Sequence, residues 1–142
     1  MEIKNKKAYF DYEILKEYEA GILLVGTEIK SVRKGSVDLK DSFITIKNNE
    51  AYALNIYIAK YEEGNIFNHE ERRTRKLLLH KEEIKRLKEA KEKEGISIIP
   101  LKMYIKNNKA KLLIGIGKGK KLYDKRESIK KRDLEREAKQ YY

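Results

Sequence analysis

Two Asn-Asn pairs constrain the fold of this chain more than any other feature of the sequence. Asn48-Asn49 and Asn107-Asn108 each lie between two short segments that are rich in Ile, Tyr, Leu or Ala. Asparagine tolerates the positive φ angles that tight hairpin turns require. Each pair therefore predicts a β-hairpin, in which two neighbouring strands run antiparallel.

Several further segments are short and rich in Ile, Tyr or Val, a composition typical of strands. Together with the hairpin arms, the predicted strands cover residues 8–15, 22–26, 43–47, 51–58, 96–99, 101–105 and 110–116.

Helix signals are fewer. A helix is predicted over residues 81–94, where Ile84, Leu87 and Ala90 recur at three-residue spacing and Gly95 is a stop signal. A shorter helix is predicted over residues 27–34, which are flanked by glycine on both sides. A mainly β chain with many short antiparallel strands and few helices predicts a small closed barrel.

Charge indicates the class of partner. The 142 residues include 34 Lys or Arg and 23 Asp or Glu, a net charge of +11. Such an excess favours a polyanionic partner, above all nucleic acid, over a merely soluble basic surface. No apolar stretch is long enough for a membrane span or a signal peptide, so we expect a cytoplasmic protein without a membrane partner.

Enzyme and metal motifs fail on spacing. The chain has no Cys, which excludes disulfides, thiol catalysis and cysteine zinc sites. His69-Glu70 is followed at position 73 by Arg instead of the second His of a zincin helix. The glycines before Lys120 lack the phosphate-loop spacing, and no serine stands in a Gly-x-Ser-x-Gly turn. We therefore expect no enzyme, no catalytic residue, no metal and no cofactor.

Two basic clusters in the first part of the chain could contact RNA. Residues 5–10, Asn-Lys-Lys-Ala-Tyr-Phe, set two cations beside aromatic rings that could stack on an unpaired base, or form a solvated strand edge. Residues 72–76, Arg-Arg-Thr-Arg-Lys, precede three leucines and could present a flat row of cations to phosphates, or form a charged loop.

The third cluster is the C-terminal segment. Apolar residues become sparse after Ile116, and residues 118–142 carry 10 basic and 5 acidic side chains. Each of its Glu–Lys pairs at i,i+4 stabilises a helix by only about 0.2 to 0.5 kcal/mol, which does not offset the conformational entropy lost when the chain becomes ordered. We expect residues 1–117 to form the barrel and residues 118–142 a basic tail, disordered alone and helical when bound. A merely solubilising tail is the alternative.

These residues and their order closely resemble the SsrA-binding protein (SmpB) family. The resemblance runs from Asn5 to about Glu137 and rests on the blocks NKKA at 5–8, EAG at 19–21, GTEIKS at 26–31, RKLLLHK at 75–81 and GKKLYDKR at 119–126.

The resemblance implies a fold and a function. The fold would be an OB-like closed antiparallel barrel with two or three short helices and a basic tail. The protein would bind the tRNA-like domain of transfer-messenger RNA (tmRNA) and bring it, with elongation factor Tu, to stalled ribosomes for trans-translation, as a monomer. The tail would fill the empty decoding site and messenger channel of the ribosome. A nonspecific single-strand RNA chaperone and a ribosome-associated structural protein remain alternatives.

The resemblance and the clusters together give the candidate residues. Asn5, Glu19 and Leu78 match family positions tied to RNA binding, and the cations and ring of the first two clusters complete the barrel site: Lys6, Lys7, Phe10, Arg72, Arg73, Arg75 and Lys76. The family's tail motif and its neighbours give the ribosome-binding set: Lys118, Lys120, Lys121, Tyr123, Asp124, Lys125, Arg126, Lys130, Lys131 and Arg132.

Two departures from the family pattern bear on these residues. Phe10 stands where members usually have His, so stacking is expected there without a hydrogen bond. Gly117 replaces a usual Ala, which is expected to loosen the root of the tail.

Overall fold

The computed structural model describes residues 1–121 and residue 126. Nine strands and three α-helices follow one another along this part of the chain, with a 3₁₀ helix, Glu62–Phe67, after β6. The strands are β1 Glu2–Lys4, β2 Tyr12–Ile22, β3 Val37–Asp38, β4 Phe43–Lys47, β5 Glu50–Leu54, β6 Tyr57–Ile58, β7 Arg75–Leu78, β8 Ile96–Lys106 and β9 Lys109–Gly119. The α-helices are α1 Lys6–Asp11, α2 Gly26–Arg33 and α3 Lys81–Lys91.

Both predicted hairpins are confirmed. Asn48 and Asn49 have φ angles of 52° and 59°, and Asn107 and Asn108 have 53° and 62°. A two-residue turn with both central residues in the left-handed region has the twist that matches the flanking strands of a hairpin. The turns join β4 to β5 and β8 to β9, with Lys47 opposite Glu50 and Lys106 opposite Lys109.

The strand predicted over residues 8–15 is wrong in its first half, where the chain forms α1. The Asn5 side chain caps this helix by accepting a hydrogen bond from the Ala8 N–H at 3.2 Å. Ala8 is buried against Ile99 and Leu101 of β8. A local cap and a distant apolar contact thus outweigh the strand propensity of the aromatic residues.

Three other boundaries differ from the prediction. β2 covers Tyr12–Ile22 without a break, and the segment predicted as a strand over 22–26 contributes only Ile22 to it. The strand predicted over 51–58 divides at Asn55, whose φ is 65°, into β5 and β6. The two strands predicted on either side of Pro100 form one strand, β8, with a register shift at the proline.

Seven strands form one antiparallel sheet in the order β1-β8-β9-β2-β7-β5-β4, and β3 pairs separately with β6. The predicted mainly β antiparallel architecture is confirmed. Among the described residues, the outermost strands β1 and β4 pair with β8 and β5 alone. Closure of the sheet into a barrel therefore stays a prediction.

The core lies on one face of the sheet, where alternate residues of β2, β8 and β9 pack with α2 and α3. It includes Ala20, Val32, Leu87, Met103 and Leu112, all with no exposed surface. The opposite side of these strands is the outer face, and one end of it is covered by α1. No helix in residues 1–121 is long and apolar enough to cross a membrane.

β9 extends past the predicted start of the tail. Lys118 and Gly119 are its last residues, paired with Glu13 and Tyr12 of β2. A Cβ atom placed on Gly117 would lie 3.0 Å from the Tyr12 Cβ. The glycine therefore permits close packing within the sheet, and the expectation that Gly117 loosens the root of the tail stays a prediction.

Candidate nucleic-acid interface

A row of residues crosses the outer face of the sheet from β8 to β7. Tyr104 lies opposite Lys111, Lys111 opposite Gly21, and Gly21 opposite Leu78. The residues next to them in sequence, such as Ala20 and Leu77, point into the core. Because strand side chains alternate, the whole row is directed outward.

Glu19, a predicted RNA-binding residue, lies on this outer face of β2. Its Oε2 atom accepts a hydrogen bond from the Tyr104 hydroxyl at 2.5 Å, and its Oε1 lies 3.5 Å from the Lys106 ammonium. The hydrogen bond from Tyr104 lowers the pKa of Glu19. Burial, followed by this hydrogen bond, raises the pKa of Tyr104 to about 12. Glu19 therefore stays ionised and fixes a ring and a cation on neighbouring β8.

Leu78, the second predicted residue on this face, is 51% exposed. It packs closely on the backbone of β2, since a Cβ on Gly21 would lie 3.2 Å from the Leu78 Cβ. Leu23 continues the same exposed apolar strip at 47% exposure. Exposed leucines supported by a rigid strand can contact the apolar faces of ribose and bases.

Lysines of the outer face flank this strip, and of the five that lie on β7, β8 and β9 sequence reasoning identified only Lys76. The Lys76 ammonium lies 3.1 Å from the Glu50 carboxylate on neighbouring β5, and both side chains are partly exposed. The others are lysines of the β8–β9 hairpin and its arms: Lys102, Lys106, Lys109 and Lys111. Their alternation with buried Met103, Ala110 and Leu112 was visible in the sequence and could have identified them.

Asn5 was predicted to contact RNA, but the structure gives it another role. Its side chain is 6% exposed, and its amide nitrogen donates hydrogen bonds to the carbonyl oxygens of Pro100 at 2.9 Å and Leu39 at 3.2 Å. Its two amide N–H donors are thus used within the protein, its oxygen accepts from the Ala8 N–H, and burial keeps the side chain from RNA. Asn5 instead holds α1 against the sheet.

The exposed residues of α1 remain candidates for RNA contact. Lys6 and Lys7 are exposed, and Lys7 pairs with Asp41 at 2.7 Å. Phe10 is half-buried. The helix also meets the end of β9, because the Lys120 ammonium donates to the Tyr9 carbonyl at 3.2 Å.

The predicted row of cations at 72–76 does not exist as a flat row. Arg75 has no exposed surface: its guanidinium donates to Glu28 Oε2 at 2.5 Å and to the Ile56 carbonyl at 2.7 Å. A buried guanidinium cannot also contact a phosphate, so the assignment of Arg75 to RNA binding is corrected.

Its neighbours are also engaged within the protein. Arg73 donates to Glu28 Oε1 at 2.6 Å, so two arginines share one carboxylate of α2 that is itself fully buried. Arg72 donates to Asn55 at 3.2 Å and covers the Tyr57 ring. Arg72 and Arg73 keep some exposed surface, whereas only Lys76 of this cluster lies on the outer face.

His69 was singled out as a poor metal ligand, and its ring is occupied by protein groups. One ring nitrogen lies 2.8 Å from the Thr27 hydroxyl and the other 2.9 Å from the Ile58 carbonyl. The ring thereby connects the start of α2 to β6.

The described residues include part of the predicted ribosome-binding set. Lys118 and Lys121 are exposed, Lys120 is half-buried against α1, and Arg126 is exposed. The remaining predicted positions lie outside the described residues: Tyr123, Asp124, Lys125, Lys130, Lys131 and Arg132.

Comparisons with known proteins agree on one family. Residues 2–142 match the family model described as SmpB protein. The SsrA-binding protein of Ligilactobacillus salivarius is 60% identical over 94% of this chain and 86% of the relative. The SsrA-binding protein of Carboxydothermus hydrogenoformans is 55% identical over 94% of this chain and 90% of the relative.

A solved structure gives the same result in three dimensions. A chain from the structure described as "tmRNA-SmpB: a journey to the center of the bacterial ribosome" superposes with a TM-score of 0.74 at 46% sequence identity. The match covers 90% of this chain and 94% of that chain.

Proposed function

Because this chain belongs to the SmpB family, we propose that it binds tmRNA and delivers it to stalled ribosomes in trans-translation. The observation that carries the proposal is the outer face, where lysines, an oriented tyrosine and exposed leucines lie on paired strands. Lysines neutralise phosphates, and rings and apolar groups contact bases and sugars. The protein thus acts as an RNA-binding factor.

The outer face suits a folded RNA better than an extended strand. Its cations are fixed on neighbouring strands, so their spacing matches one arrangement of phosphates and not many. Folded RNA is recognised largely through shape and backbone contacts. We therefore assign the tRNA-like domain of tmRNA to this face, with Lys6, Lys7 and Phe10 of α1 at its margin.

The tail is proposed to contact the ribosome. Ten basic residues in 118–142 suit ribosomal RNA, and Tyr123 can stack on a base of the decoding site. The tail would become helical there and fill the empty messenger channel. Family membership further supports a single copy acting with elongation factor Tu in the cytoplasm.

Truncation tests this division of labour. Because β9 extends to Gly119, the informative chain ends at Gly119 and keeps every strand of the sheet. It should bind tmRNA within about tenfold of the full chain, equivalent to roughly 1.4 kcal/mol, and lose peptide tagging on stalled ribosomes. A larger loss of RNA affinity would assign the tail to the tmRNA site.

The main test is an electrophoretic mobility shift with tmRNA and with bulk tRNA at fixed salt. The wild type should prefer tmRNA. The variant K109Q/K111Q, which removes two charges from the outer face, should weaken binding to tmRNA and flatten its salt dependence by about one to two units. The matched control K85Q/K88Q removes two exposed charges from α3 and should leave both quantities near wild type.

Two results would support the alternatives. Equal binding of tmRNA, bulk tRNA and single-stranded RNA would indicate a nonspecific RNA chaperone. Stoichiometric recovery with every ribosome, stalled or translating, would indicate a ribosomal structural protein.

A further inference from the structure

A small pocket lined mainly by lysines lies beside α1 at the margin of the outer face, where Lys4 of β1 pairs with Lys102 of β8. Its volume is about 230 Å³, and its lining residues come from β1, from the capped start of α1, and from β3 with the segment that follows it. They are Lys4, Asn5, Lys6, Lys7, Asp38 and Lys40. Four lysines thus converge from three segments of the chain.

The walls of this lysine pocket are held in place by hydrogen bonds. Asn5 donates to the Leu39 carbonyl at 3.2 Å and so ties α1 to the segment after β3. Lys7 and Asp41 make a second tie between the same two segments at 2.7 Å. The Lys4 ammonium rests 4.8 Å from the centre of the Tyr9 ring. The pocket is therefore a built feature of the fold.

The charges of the pocket do not balance internally. Asp38 is its one acidic lining residue, and the Oδ1 atom of that side chain accepts a hydrogen bond from the Lys40 backbone N–H at 2.8 Å. Within residues 1–121, the ammonium groups of Lys4, Lys6 and Lys40 form no ion pair with a carboxylate. Like charges held close together repel, and a bound anion relieves that repulsion.

We propose that the lysine pocket binds one phosphate group of an RNA backbone. This inference rests on the proposed function in taking RNA as the ligand. Lysine binds phosphate as a point charge, and several lysines around one anion need no planar geometry. The volume lies below the roughly 300 Å³ at which small-molecule sites begin, and the lining residues include no aromatic ring. A compact anion fits these features better than a base.

Two RNAs could supply the phosphate, and binding measurements distinguish them. The variant K4Q/K40Q removes two pocket charges, neither of them in an ion pair within residues 1–121, and K4R/K40R keeps both. Salt dependence of binding is measured separately for tmRNA and for vacant ribosomes, with K85Q/K88Q as the control of equal charge. In one of the two titrations, K4Q/K40Q should flatten the slope by about 0.7 to 0.9, because one phosphate is no longer neutralised, and K4R/K40R should retain the wild-type slope.

The outcome identifies the source or overturns the proposal. A flattened slope with tmRNA alone assigns the phosphate to tmRNA, and one with ribosomes alone assigns it to ribosomal RNA. If the salt slopes of K4Q/K40Q equal those of K85Q/K88Q in both titrations, the proposal that the lysine pocket binds a phosphate is overturned. A wild type without preference for tmRNA over bulk tRNA would instead overturn the proposed function, while the ribosome titration would still test the pocket. Unchanged melting temperatures check that the variants fold.

Discussion

Arginines at 73 and 75 point toward Glu28 inside the protein, whereas lysines at 109 and 111 lie on the outer face of the sheet. Both regions have the composition of a nucleic-acid site. They differ in what the fold places opposite them: α2 brings a buried carboxylate to the arginines, and β9 directs its lysines to solvent. The density of cations in a sequence thus identifies candidates, and the surrounding fold decides which cations remain available.

The largest effect should come from removing the carboxylate that the two arginines share. Glu28→Ala leaves the Arg75 guanidinium buried without its counter-charge, which should cost about 3–5 kcal/mol in the free energy of unfolding. Urea unfolding measures it. Glu19→Ala on the exposed outer face is the control, with an expected cost of roughly 0 to 1 kcal/mol. Equal costs for both variants would contradict the structural role of Glu28.

The same carboxylate should make stability depend on pH. Burial alone would raise the pKa of Glu28, but hydrogen bonds from Arg73, the Val25 N–H and Arg75 outweigh it and lower the pKa. Because its pKa is lower in the folded than in the unfolded state, ionised Glu28 stabilises the fold at pH values above the ordinary glutamate pKa. This contribution is lost as the pH falls through the pKa of Glu28 in the folded state. Unfolding measured from pH 7 downward should therefore lose less stability in Glu28→Gln than in the wild type. Parallel pH profiles would contradict this linkage.

Single substitutions in the two regions should separate stability from binding. Arg73→Ala removes a charged hydrogen bond to Glu28 and should cost about 1.5–3 kcal/mol of stability with little change in the salt slope of tmRNA binding. Lys76→Ala should do the reverse, because its pairing with Glu50 is exposed: the slope should fall by about 0.9 or less. The contrast fails if Arg73→Ala changes the slope as much as Lys76→Ala.

The smallest expected effect concerns the pair on the outer face. Glu19 and Tyr104 should couple by about 1 kcal/mol in tmRNA binding, because the carboxylate orients the ring. A double-mutant cycle with Glu19→Gln and Tyr104→Phe measures this coupling. NMR titration of the Tyr104 ring signals gives a second readout: the pKa of Tyr104, about 12 in the wild type, should fall in Glu19→Gln. Additive effects on binding would mean that Glu19 acts on RNA by itself.

The sequence predicted best what is decided locally. Both Asn-Asn hairpins follow from the conformational freedom of two adjacent residues. The helix predicted over 81–94 follows from apolar spacing, and the structure confirms it as Lys81–Lys91, three residues shorter at its end. β2 was missed in part because its polar residues, from Lys16 to Glu19, lie where one side of the strand faces solvent. A strand that buries only one face loses the continuous apolar signal.

Contacts between distant residues could not be predicted in the same way. Arg75 meets Glu28 from 47 residues away, and the Asn5 side chain meets Pro100 from 95 residues away. Their residue types suggested RNA contact, and only the folded chain reveals the protein partners. The lysines of β9 are the opposite case, because their alternation with buried residues was already present in the sequence.

The central claim is that the outer face, and not the arginine segment at 72–75, receives tmRNA. Nitrogen-15 NMR titration with the tRNA-like domain tests it directly, residue by residue. The claim predicts that the amide signals of Gly21, Leu78 and Lys111 shift or broaden first, while those of α3 stay in place. Perturbations confined to residues 72–75 or to α3, with the outer face unchanged, would contradict it.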